Sequence, residues 1–313
     1  MIGNFPEFTP INLDNRDSYD DAVSNHPAYS NLSFPSMQIW NNFDGTLAAA
    51  RHNDNLVIDY SVPLDEENSG LSVIGTSDVD NSLNTVFDHL RTTGQEPKIV
   101  HVPEFVVSNI TDADMFEIVE EPDYNEYILD SQALATLEGP DFGRIRRKVG
   151  KFHREIDGYE IQVGAIDMSS DPAKAEVMEH VKRWVEAKDS GNDPDKTEFV
   201  ALDRTLGLAN ELGMQGMELR LSGKLAGILL YHKPHDDSYI VNHLRVDYSH
   251  PFIFDYMTHA FAKIAVQNNI PRINFEMDLG IEGLRRHKVG LRPIEMFKQY
   301  LIKQKADSRE VES

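Results

Sequence analysis

The order of elements constrains this chain most, because the same order is predicted twice. In the first half, helical stretches near 15–25 and 34–41 precede short strands near 46–51, 55–62 and 71–75. A helix near 79–93 follows, with Val86, Phe87 and Leu90 on one side. Then come a strand at 98–102, a short helix near 103–109 and a strand near 124–129. The second half opens with a lead-in strand at 158–163 and helices near 173–188 and 197–213. Val177, Val181, Trp184 and Val185 form one apolar stripe there. Strands at 216–222, 225–232 and 238–246 come next, the first two joined by the hairpin-like turn Ser222-Gly223-Lys224. A helix near 252–269 stops before Pro271, and a strand at 272–277, a helix at 281–288 and a strand near 292–302 close the pass. This repetition implies two similar α/β units, each a mixed sheet flanked by helices.

The segment Ile273 to Pro293, INFEMDLGIEGLRRHKVGLRP, concentrates the polar chemistry. Strand side chains alternate between faces, so Asn274, Glu276 and Asp278 are expected on one face, with Ile273, Phe275 and Met277 on the other. Gly280 permits a sharp turn. Ile281 and Leu284 suit the buried side of a helix that carries Arg285, Arg286 and Lys288. Carboxylates at a strand end beside cations on the next helix are the makings of a site.

This segment resembles the closing motif of the phosphatidylglycerol lysyltransferase C-terminal family, Asn-x-Glu-x-Asp-Leu-Gly-x-x-Gly-Leu-Arg-x-x-Lys. Here it runs through Asn274, Glu276, Asp278, Leu279, Gly280, Gly283, Leu284, Arg285 and Lys288, with Arg292-Pro293 after it. A second block is similar at Leu134-Ala135-Thr136-Leu137-Glu138-Gly139, running into Arg146-Arg147-Lys148 and Lys151-Phe152. A third is Tyr29-Ser30-Asn31-Leu32-Ser33-Phe34, leading to Ile39-Trp40. The resemblance spans about Pro27 to Tyr300. It implies two tandem acetyltransferase-like (GNAT-like) domains related to FemABX-type aminoacyl transferases, each a mixed, mostly antiparallel sheet. The expected boundaries are 1–138 for an acidic N-terminal domain, 139–157 for a basic linker helix, 158–303 for the C-terminal domain and 304–313 for a frayed tail.

With 313 residues the chain is long enough for two cores. It has no cysteine, which excludes disulfides, thiolate catalysis and cysteine-ligated zinc. The start, Met1-Ile-Gly-Asn-Phe-Pro, does not read as a secretory signal, and no apolar run approaches the roughly 18 residues of a membrane span. A cytoplasmic protein is the expectation. Residues 1–143 carry four Lys/Arg against 26 Asp/Glu, the whole of the formal charge of −22, whereas residues 144–313 carry 26 of each. The acidic half mainly confers solubility and should repel nucleic acid and anionic surfaces within about a Debye length, ~8 Å. An anionic ligand is therefore expected at the second half or where the halves join.

Gly139-Pro140-Asp141 signals a helix start. Phe142, Ile145, Val149 and Phe152 recur at helical spacing, with Arg144, Lys148 and Lys151 on a second face and Arg146, Arg147 and Arg154 flanking it. Six cations in eleven residues suggest an anion site, the alternative being surface ion pairs to acidic residues. Together with Arg285 and Arg292, the residues Arg146, Arg147, Lys148 and Lys151 are the candidate anion- or donor-binding set. The candidate catalytic set is Lys288, Glu276 and Asp278. The resemblance implies that Lys288 serves a carbonyl or phosphate, as an oxyanion-stabilising cation would. Glu276 or Asp278 could be a general base, and Asp278 could equally pair with Arg285 or cap the Gly280 turn. Glu282 and Arg286 form a potential i,i+4 pair.

Between strand and helix, Arg245-Val-Asp247-Tyr-Ser-His250-Pro251 lacks the glycines of a pyrophosphate loop, which argues against acetyl-CoA. His232, His235, Asp236 and Asp237 read as a solvated turn rather than a metal site. Tyr29, Phe34 and Trp40 read as core. The expected function is transfer of an acyl or aminoacyl group from an activated cosubstrate, aminoacyl-tRNA or acyl-CoA, to an amine or hydroxyl. No permanently bound cofactor or metal is expected. The partner would be an anionic small molecule or a tRNA acyl donor. A non-catalytic module that binds an anionic ligand is the alternative.

Overall fold

The computed structural model describes residues 1–40, 47–60, 69–188 and 194–305. The expected polar loop at 189–196 lies mostly outside these residues, and the expected tail lies outside them beyond Lys305. The strands are β1 (Thr9–Pro10), β2 (Ala48–His52), β3 (Asn55–Tyr60), β4 (Gly70–Ile74), β5 (Lys98–Pro103), β6 (Phe116–Glu120), β7 (Glu126–Asp130), β8 (Ile161–Ala165), β9 (Gln215–Leu221), β10 (Lys224–His232), β11 (Ser238–Val246), β12 (Arg272–Asn274), β13 (Glu295–Phe297) and β14 (Gln299–Gln304). The α-helices are α1 (Arg16–Val23), α2 (Phe34–Trp40), α3 (Val79–Thr92), α4 (Glu104–Val107), α5 (Ser131–Thr136), α6 (Gly143–Glu155), α7 (Asp171–Lys188), α8 (Pro194–Gly207), α9 (Ala209–Leu212), α10 (Ile253–Gln267) and α11 (Glu282–Gly290).

Two seven-stranded mixed sheets result, in the orders β1-β2-β3-β4-β5-β14-β6 and β13-β7-β12-β11-β10-β9-β8. In the first unit β2, β3 and β4 form an antiparallel meander, and β4 pairs in parallel with β5 after the crossover helix α3. In the second unit β9, β10 and β11 form the meander, and β11 pairs in parallel with β12 after α10. A parallel pair needs such a crossover, because a tight turn cannot bring the chain back in the same direction. The duplicated order of elements is thus present in both sheets.

The units are Met1–Asn125 with Phe297–Ser313, and Glu126–Met296. This division corrects the expected boundaries in three places. The strand near 124–129 is β7, which pairs with β12 of the second sheet. The closing stretch is two strands: β13 ends the second sheet, and β14 lies between β5 and β6 of the first. The basic stretch 139–157 is not a linker between units but contains α6 inside the second one. The reason is its apolar stripe: Ile145, Val149 and Phe152 join the core made by Leu219, Leu229, Phe261 and Ile273. Burying each such side chain contributes roughly 1.5–3 kcal/mol, more than surface ion pairs could.

Tyr29 and Phe34 are buried as expected, and Trp40 is half-buried. No helix among the described residues is long and apolar enough to cross a membrane. Because β14 fills a gap between two strands and buries Ile302, a chain ended at Met296 should lose cooperative folding of the first unit. Hydrogen exchange should then find the β5 amides unprotected while the β10 amides keep their protection.

Candidate functional site

Beyond Asn274 the strand expected at 272–277 is broken. Glu276 and Leu279 both take left-handed backbone angles, φ +55° and +53°. The Lys288 ammonium explains the break. It donates to three successive carbonyls, those of Phe275 (2.5 Å), Glu276 (3.3 Å) and Met277 (2.5 Å). In a regular strand successive carbonyls point in alternating directions, so one cation cannot gather three without the backbone leaving the strand. Asn274, Glu276 and Asp278 therefore do not share a strand face as the sequence pattern implied. Lys288 is 6% exposed. Burial lowers its pKa, and the neighbouring carboxylates Glu276, Asp278 and Glu126 oppose that shift.

Asp278 is fully buried, and its oxygens are all engaged. Oδ2 accepts from Tyr127 Oη (2.5 Å) and Arg285 Nε (2.9 Å); Oδ1 accepts from Arg285 Nη2 (2.8 Å) and the Gly280 N–H (2.9 Å). Burial pushes this carboxyl up, but the hydrogen bonds from Arg285, Tyr127 and Gly280 outweigh burial and hold it below the usual carboxylate range. The Tyr127 phenol is pushed up to about 12, first by burial and then by Asp278. Asp278 thus takes the alternative role weighed for it, the pair with Arg285 and the cap of the turn.

Glu276 is half-buried. Its Oε1 accepts from Asn242 Nδ2 (2.9 Å), and its backbone N–H donates to Asn274 Oδ1 (2.8 Å). Asn274 in turn donates to the buried Glu126 (2.5 Å). Burial raises the Glu276 pKa against the lowering pull of Lys288, and Glu126 adds to the rise.

Asn242 is the extra residue of a β-bulge: Leu230 pairs with His243 and Tyr231 with Val241, so Asn242 has no opposite number. A bulge re-aims a side chain out of the regular alternation. Here it lies just past the last parallel pair, Ile240 with Asn274, where β11 continues and β12 has ended. The other side of the Asn242 amide is fixed by His232, whose Nδ1 donates to Asn242 Oδ1 (2.8 Å). His232 is buried, so the solvated turn expected for His232 to Asp237 does not include it. Sequence reasoning missed Asn242, His232 and Glu126. Only the histidine carried a signal, as a polar residue at the end of an apolar run.

The anion-binding candidates divide. Helices α6 and α11 border two adjoining cavities of about 150 and 430 Å³. Lys148 lines the smaller, bonded to Asp255 (2.9 Å), and Arg285 and Arg292 line the larger. Arg144 and Arg286 line both. Arg146 instead caps the carbonyls of Leu137 and Gly139, and Arg147 is exposed and bonded to the Gly143 carbonyl. Lys151 sits over the Phe252 ring, 5.3 Å from its centroid. These three line neither cavity. Nor do Lys288 and Glu276 of the candidate catalytic set. The expected Glu282–Arg286 pair is formed, with both side chains largely exposed. In the glycine-poor loop before α10, Phe252 takes a left-handed φ of +65°, a conformation that glycine favours.

Two measurements check this account. Lys288→Met leaves the gathered carbonyls without their cation and should lower unfolding stability by about 3 kcal/mol in urea titrations. Asp278 has a depressed pKa when folded, so its contribution is present above the unfolded value of about 3.9 and is lost as pH falls through the folded value. Asp278→Asn should therefore flatten the acid limb of stability against pH, read as Tm between pH 6 and 2.

Solved structures share the fold. A conserved protein of unknown function from Bacteroides thetaiotaomicron superposes with a TM-score of 0.79 at 22% identity, covering 97% of this chain and 100% of that one. The C-terminal domain of a putative lysylphosphatidylglycerol synthetase from Agrobacterium fabrum gives 0.64 at 13%, covering 95% and 93%. A tandem GNAT protein from the clavulanic acid biosynthesis pathway gives 0.52 at 8%, covering 96% and 99%. No curated protein matches the chain by sequence. The fold is that of two tandem acetyltransferase-like domains, and the phosphatidylglycerol lysyltransferase C-terminal family model matches residues 29–303. The chain belongs to that family.

Proposed function

We propose that the second unit transfers an acyl or aminoacyl group from an activated ester or thioester to an amine or hydroxyl. The observation that carries this reading is Glu276, a carboxylate with raised pKa, held by the bulge residue Asn242 where β11 and β12 part. A base with a pKa near the working pH is the efficient kind. In the reaction, the acceptor N–H or O–H gives its proton to the Glu276 carboxylate as its lone pair bonds to the acyl carbon. The tetrahedral intermediate then collapses, and the bond to the donor oxygen or sulfur breaks. Glu276 returns the proton to that leaving group. Family membership supports aminoacyl-tRNA as the donor class, and the glycine-poor loop before α10 speaks against acyl-CoA.

Lys288 enters this scheme as a positioning residue. Among the described residues its hydrogen bonds all go to the backbone carbonyls of residues 275–277, so it shapes the turn that carries Glu276 and places a positive charge beside it. The cations of the two cavities, Arg144, Lys148, Arg285, Arg286 and Arg292, hold an anionic part of donor or acceptor. A second reading is favoured by the same geometry: the cations line the cavities and Glu276 does not, as in a module that binds an anion without transfer.

Single-turnover transfer from aminoacyl-tRNA, followed by release of free tRNA in the presence of amine and hydroxyl acceptors, separates the two. Glu276→Gln should lower the rate by about 10²–10⁴ with little change in KM, and should abolish an acid limb lying above the ordinary carboxylate range. Equal rates for the variant and the parent would remove Glu276 as the base.

A further inference from the structure

We infer that the smaller cavity between α6 and α11 binds a phosphate group. Its lining comes from one face of each helix. From α11 it takes Gly283, Arg286, His287 and Gly290, spaced i, i+3, i+4 and i+7; from α6 it takes Arg144, Ile145 and Lys148. Asp255, in the first turn of α10, completes it. Three cations line the cavity against one carboxylate, and with the Glu282 partner of Arg286 counted one positive charge is still in excess, in a chain whose formal charge is −22.

The groups that face this space have hydrogen-bonding capacity left. Arg144 makes no ion pair or hydrogen bond among the described residues, so its five N–H donors are open. Lys148 spends its bonds on Asp255 alone. His287 has a buried Nε2 with no hydrogen-bond partner among the described residues. A buried polar atom left unpaired costs about 1–3 kcal/mol, and an anion in the cavity would give it a partner. The Phe254 ring packs edge-on against this imidazole, 4.2 Å away centroid to centroid.

Size and shape point the same way. About 150 Å³ is the space of roughly five waters in the liquid, enough for one phosphate with part of its hydration. Two of the lining residues are glycines, and a Cβ built on either Gly283 or Gly290 would meet nothing within 4 Å. The helix is therefore cut back where the ligand would lie. Arg144, Arg286 and Gly290 also line the cavity of about 430 Å³, so a molecule bearing the phosphate can extend from one into the other. A planar, multi-donor guanidinium suits phosphate oxygens better than a point charge does. The inference deepens the transfer reading by giving its anion a place and a class. It is tested by binding alone, so it stands or falls separately from Glu276.

The experiment is calorimetric titration of the full chain at low ionic strength with inorganic phosphate and, separately, with glycerol 3-phosphate. Saturable one-to-one binding is expected. Arg144→Gln should weaken it at least tenfold, and Gly283→Leu, which fills the cavity, should abolish it without lowering Tm. Arg154→Gln, an exposed change on α6 outside the cavity, and Glu276→Gln should leave it unchanged. Long-range ¹H–¹⁵N spectra should show the His287 imidazole moving on addition of phosphate. Equal affinity for the two ligands assigns the site to free phosphate. A gain of tenfold or more for the ester, lost in Arg292→Gln, assigns it to the phosphate of a larger molecule. No saturable binding of either ligand, or binding that survives both Arg144→Gln and Gly283→Leu, would overturn the inference.

Discussion

The second unit depends on one ammonium group holding three carbonyls. Taking Lys288 out of water is costly, and that cost is offset by charge-assisted bonds to Phe275, Glu276 and Met277 and by the carboxylates nearby. In return the cation ends β12 at Asn274 and turns the chain through two left-handed residues. Asp278 then locks the turn from the other side through Arg285, Tyr127 and the Gly280 amide. The backbone of Glu276 is thus held by groups brought from α11, β7 and β12.

Early termination of β12 is what opens the parallel pair. β11 runs on to Val246, and its bulge at Asn242 turns an amide into the gap. That amide is oriented by His232 on one side and holds Glu276 on the other. A carboxylate in such a place is partly desolvated yet fixed, which are the two conditions for a raised pKa to serve proton transfer.

Helix α11 divides its work by face. Arg285 and Lys288, three apart, reach back to the turn at 275–280. Gly283, Arg286, His287 and Gly290 face α6 and the smaller cavity. The first face shapes the turn that carries Glu276, and the second supplies an electropositive hollow. One short basic helix can do both because 3.6 residues per turn separate the two sets of side chains.

Much of this was legible in the chain. The order of elements, the apolar stripe of α6, the closing motif and the pairing of Asp278 with Arg285 as one of two options all follow from local pattern. The strand alternation at 273–278 misled, because periodicity cannot register a cation thirteen residues away that collects three carbonyls. The assignment of β7 and β14 also escaped it. Each has an alternating or apolar pattern that would fit either sheet, and which sheet receives it depends on backbone pairing between distant residues. Asn242, His232 and Glu126 look like ordinary polar residues in strands until the bulge and the turn bring them together. The sequence by itself determined two acetyltransferase-like units and a basic, carboxylate-bearing end to the second, because periodicity and turn chemistry are local. Tertiary structure alone decided which carboxylate is held by a single amide and which is locked by four donors, because that depends on which groups the folded chain brings within hydrogen-bonding distance of each.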